Sequence, residues 1–131
     1  MKKVLMFVCA FVNRSNFIIW NNEMKDTINV DKVGSQIDVL PTLLNLLDIE
    51  YDSRLIIGKD ILSDNEGIAI FSDRSWVTDY GIYFAADKKF VAKENKDIPD
   101  GYLDRINQSV LNKFTMSNLF IKHNIYENLI K

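Results

Sequence analysis

Histidine and cysteine are nearly missing from these 131 residues, which hold one of each, His123 and Cys9. A lone thiol closes no intramolecular disulfide and falls far short of a structural zinc set. A lone imidazole excludes sites that need two, most zinc hydrolases among them. The five glycines, Gly34, Gly58, Gly67, Gly81 and Gly101, are scattered, and none stands in a glycine-rich strand-to-helix turn that would cradle phosphate. Positive charge is not in excess either: 16 Lys and Arg against 18 Asp and Glu leave a net charge of -2, no electrostatic footprint for nucleic acid. No apolar run approaches the roughly 20 residues of a membrane-spanning helix.

What is present suits one folded domain. Hydrophobic residues at 47% against 26% charged supply enough apolar surface to offset chain entropy, and the length fits one core rather than two. No internal repeat, low-complexity tract or long linker interrupts it.

Lys2 and Lys3 ahead of the apolar residues 4–12 have the shape of a secretory signal, but no small-x-small cleavage site follows, and Val8 is a poor neighbour for a lipidated Cys9. A β-strand or a ragged apolar start is the better reading. Residues 16–20 (NFIIW) have the composition of a strand inside a sheet. Residues 21–34 read as a connection with one irregular strand around 28–30. From Ser35 the spacing turns helical, and Ile37, Leu40, Leu43, Leu44 and Leu47 would form one apolar stripe. Either Asp38 caps this helix with Pro41 in its first turn, or the helix starts at Ser35 and kinks. The helix should stop near Asp48, and residues 55–58 should loop back with a positive φ open to Gly58.

Four short β segments follow, at 68–71, 76–78, 82–85 and 89–92, separated by turn residues, which predicts an antiparallel meander with no crossover helix. Beyond Pro99, Leu103, Ile106, Val110 and Phe114 predict a helix of about four turns, with Asp100 placed to cap it or to favour its positive N-terminal end. Ser117 would cap a last short helix through Phe120 and Ile121.

The reactive inventory is thin. His123 lies on a lysine-rich terminal segment without a nucleophile motif in the chain, and reads as a solvated surface histidine. Asp48, Glu50 and Asp52, and Asp60, Asp64 and Glu66, could offer oxygen to a hard cation. Neither set has calcium-loop spacing, and solvated loops are the simpler reading. Trp20 and Trp76 read as packing residues rather than a ligand-stacking pair.

The stretch GSQIDVLPTLLNLLDI from Gly34, followed by IIGKDIL ending at Leu62, resembles the C-terminal part of the sulfatase and lipoteichoic acid synthase families of the alkaline phosphatase superfamily. In those enzymes a strand like 16–20 leads to a segment like Ser35-Gln36-Ile37-Asp38. Next come Pro41-Thr42-Leu43-Leu44 and a turn matched here by Gly58-Lys59-Asp60-Ile61-Leu62. The resemblance continues through Phe71-Ser72-Asp73-Arg74-Ser75, similar to the strand after that turn, and a helix start at Met116-Ser117-Asn118. Asp48 stands where the family usually has glycine; aspartate tolerates the left-handed conformation better than most residues, so the helix end is expected to survive.

The resemblance implies an α/β fold: the end of an alkaline-phosphatase-like α/β/α sheet (a strand at the edge of a parallel sheet, plus a helix), followed by a small antiparallel sheet packed on a C-terminal helix. It implies boundaries at 1–15 (unassigned), 16–66 and 67–131. It also implies a parent enzyme that transfers or hydrolyses phosphate or sulfate esters with a divalent metal (Mn, Mg or Ca), working extracytoplasmically or at a membrane. The family's nucleophile and its metal ligands, an Asp-His pair included, lie upstream of the matched region, and no Asp-His dipeptide occurs here. No catalytic, cofactor-binding or metal-ligating residue is therefore assigned to this chain. The expected partner is the missing N-terminal catalytic part, or a second copy through the face left exposed; nucleic acid is not expected, and membrane contact only through an absent anchor. A stand-alone binding module that has kept the fold and lost catalysis is the alternative. A small enzyme in its own right would rest on His123 and scattered carboxylates alone.

Overall fold

The computed structural model describes residues 4–8, 15–20, 22, 25–94 and 96–129. They form two compact units, 1–96 and 97–131. The protein is mixed α/β, with a four-stranded antiparallel sheet and a long C-terminal helix.

The first unit opens with a three-stranded sheet of β1 (Val4–Val8), β2 (Ser15–Ile19) and β3 (Asn29–Gly34), in the order β2-β1-β3. The apolar start is a strand, as one of the two readings had it. β2 pairs antiparallel with β1, Met6 opposite Phe17, while β3 pairs parallel with β1 across a bulge between Met6 and Val8. β2 is thus neither interior nor part of an all-parallel sheet: it is an edge strand with Ile18 exposed, and Trp20, the residue after it, is exposed as well. The segment read as a connection with one irregular strand around 28–30 holds a six-residue strand, because Val30 and Val33 each have a core to enter. Val30 packs with Ile61, Phe17, Val39 and Leu62; Val33 packs with Ala69, Val77, Phe71 and Ile82. A weak local β signal was overridden by burial on two sides. Cys9 and residues 1–3 and 9–14 lie outside the described residues, and with them the question of a signal.

A single 3-10 turn, residues 36–38, runs into α1 (Val39–Leu46). Asp38 is the N-cap residue of α1 and Pro41 falls in its first turn, where a missing N–H leaves no helical bond unmade. The helix ends as expected: Asp48 takes φ 53, its amide reaches the Asn45 carbonyl at 3.2 Å, and the Ile49 amide reaches Leu44 at 2.9 Å. This is the Schellman pattern that glycine normally closes.

The second sheet is the predicted meander: β4 (Ile68–Ile70), β5 (Trp76–Thr78), β6 (Gly81–Phe84) and β7 (Lys89–Ala92), antiparallel in sequence order. Trp76, fully buried, stands opposite Tyr83, which stands opposite Phe90. The Trp76 and Tyr83 rings stack at 5.3 Å and Trp76 meets Phe90 at 5.6 Å. Residues 71–75, read as part of a strand, are instead the β4–β5 turn. Asp73 accepts the Ser75 amide at 3.0 Å and its hydroxyl at 2.8 Å, an Asx-type closure that competes with ladder pairing.

The second unit is α2 (Tyr102–Lys122) and α3 (Ile125–Leu129). At 21 residues α2 is longer than predicted, and it runs straight through Met116, Ser117 and Asn118 rather than restarting there. An internal serine does not stop a helix whose backbone bonds continue. The break falls at His123 and Asn124, the latter at φ 47. The N-cap is Gly101, φ 71, and not Asp100: the left-handed conformation selects glycine. Tyr102, Ile106 and Val110 are the buried stripe, and Phe120 meets Tyr126 of α3 edge-on at 5.5 Å.

Candidate functional site

Residues 35–45 and 58–62 meet in space through Asp38, Thr42 and Asn45. Asp38 is 7% exposed. One carboxylate oxygen accepts the Ser35 amide at 2.9 Å and the Ser35 hydroxyl at 3.2 Å, while the other accepts the Lys59 amide at 2.8 Å. One turn on, the Thr42 hydroxyl donates to the Asp38 carbonyl at 2.6 Å and accepts the Ile61 amide at 3.0 Å. Asn45 then donates to Asp60 at 2.9 Å, and the other Asp60 oxygen accepts the Leu62 amide at 2.9 Å. Each of the three side chains, a turn apart on one side of the helix, holds one rung of the loop that follows Gly58.

Gly58 serves this clasp through size and not through a left-handed backbone, which it does not adopt: a Cβ there would lie 1.9 Å from the Ile37 carbonyl oxygen. The positive φ expected of it gives way to close approach. Spacing alone identifies the glycine, but only the tertiary contact distinguishes these two uses.

The clasp has a consequence for the leucines. The buried side of α1 is Asp38, Pro41 and Thr42, with Thr42 only 1% exposed. The predicted apolar stripe is not buried: Leu40 is 55% and Leu47 62% exposed, Ile37 and Ile49 continue the exposed surface at either end, and Leu43 and Leu44 are half-buried. Periodicity located the stripe correctly but not its direction, because satisfying a buried carboxylate and hydroxyl takes precedence over hiding leucine.

Elsewhere the polar groups have local structural work. Asp52 pairs with Arg54 at 2.6 Å and accepts its backbone amide. The Arg54 guanidinium, and then that amide, draw the Asp52 carboxyl down from the ordinary 3.8 to about 2 and raise Arg54 in turn. The Ser75 hydroxyl, then its amide, hold Asp73 below the usual carboxylate range. Ser75 in turn accepts the Ala85 amide at 3.0 Å, tying the turn to the far end of β6. Trp76 is a packing residue, as read; Trp20, 55% exposed, is not. His123 is exposed at the end of α2.

Among the described residues no three His, Cys, Asp or Glu side chains converge to hold a metal ion, and no helix is long and apolar enough to cross a membrane. Comparison with family models, with curated proteins and with solved structures finds no match to this chain.

Proposed function

We propose that this chain is the C-terminal structural part of a sulfatase-like or phosphoglycerol-transferase-like fold, a scaffold for metal-dependent transfer or hydrolysis of phosphate or sulfate esters, carrying none of the reacting groups itself. The supporting observation is the clasp. ID-x-x-PT alone would be a weak signature, but Asp38 and Thr42 hold the amides of Lys59 and Ile61, so the two matched motifs are halves of one device.

No three His, Cys, Asp or Glu side chains converge among the described residues to hold the family's divalent metal, Mn, Mg or Ca, and Asp38, Asp60 and Asp73 have structural partners. Both oxygens of Asp38 are occupied by amides and a hydroxyl, those of Asp60 by Asn45 and Leu62, and those of Asp73 by Ser75. No chemical step is routed through them. On this reading the exposed leucine stripe of α1 is surface that meets the rest of the enzyme.

The deciding experiment is to translate the source DNA in frame upstream of Met1. An open frame encoding a nucleophile and an Asp-His pair is the expected result. A stop codon or unrelated sequence would overturn the enzyme-part reading in favour of a non-catalytic binding module, which the exposed stripe also suits. The purified chain should show no manganese-dependent turnover of an aryl phosphate or aryl sulfate; turnover lost in His123→Ala would overturn both readings.

A further inference from the structure

We draw no further inference here: the strongest candidate, the outer edge of β2, which has no charged residue or proline to turn a second strand away, carries nothing because nothing among the described residues shows what covers it, a second copy of this chain and a strand of another polypeptide fitting it equally.

Discussion

Asp38 and Thr42 show how a buried polar group can organise a segment. Replacing Thr42 with Val, nearly the same in volume, removes the acceptor of the buried Ile61 amide and a donor to the Asp38 carbonyl. The expected loss is about 2 kcal/mol, from the cost of an unsatisfied buried donor, measured by urea denaturation. Asp48→Gly should do the reverse. Its φ of 53 favours glycine, so the variant should gain about 1 kcal/mol in the same measurement. Titration offers a third test. With its folded pKa lowered to about 2, Asp52 contributes its pairing with Arg54 above the ordinary 3.8 and loses it as pH falls towards 2. The pair is exposed, so the effect belongs in the carboxyl chemical shift more than in the melt. Arg54→Ala should raise the Asp52 midpoint towards the ordinary carboxylate range, short of it by what the retained backbone amide bond contributes.

At the scale of the element, α1 is the lesson about legibility. Its existence, the place of Pro41 in its first turn and its end at Asp48 were readable, since turns are local chemistry written in adjacent residues; Asp38 stands at the N-cap position, but its carboxylate serves Ser35 and Lys59 and makes no cap bond to the helix. Which side it buries was not, because that is settled by amides twenty residues away. The same division runs through the other elements. The meander was legible from alternation and turn residues, whereas β3 was legible only in part, as an irregular strand around 28–30, because the rest of its strand character comes from two separate packing partners. The end of α2 was misplaced because a serine can cap a helix or merely sit in one, and local sequence does not distinguish the two. The inverted helix carries a prediction that runs against polarity: Leu47→Glu should change stability by less than about 0.5 kcal/mol while Thr42→Val costs several times more.

For the whole molecule, the sequence supported the mixed α/β class, the meander and the C-terminal helix but neither the clasp nor the arrangement of the first sheet, whose antiparallel edge depends on pairing between β1 and β2. The site was legible as a motif and illegible as a surface. The two tryptophans allow a direct check on the assembled chain. Acrylamide should quench the exposed Trp20 freely and leave the fully buried Trp76 nearly untouched until the protein unfolds, giving two emission components of unequal accessibility. The row formed by Trp76, Tyr83 and Phe90 adds something further. Side chains alternate faces along a strand, so a slip of one position would carry Tyr83 to the far side of the sheet and dissolve the stack. Coupled indole and phenol transitions in the near-ultraviolet therefore arise only from chains whose strands are paired in register. Refolding followed at that wavelength counts correctly threaded molecules, where the far-ultraviolet signal would count any strand at all.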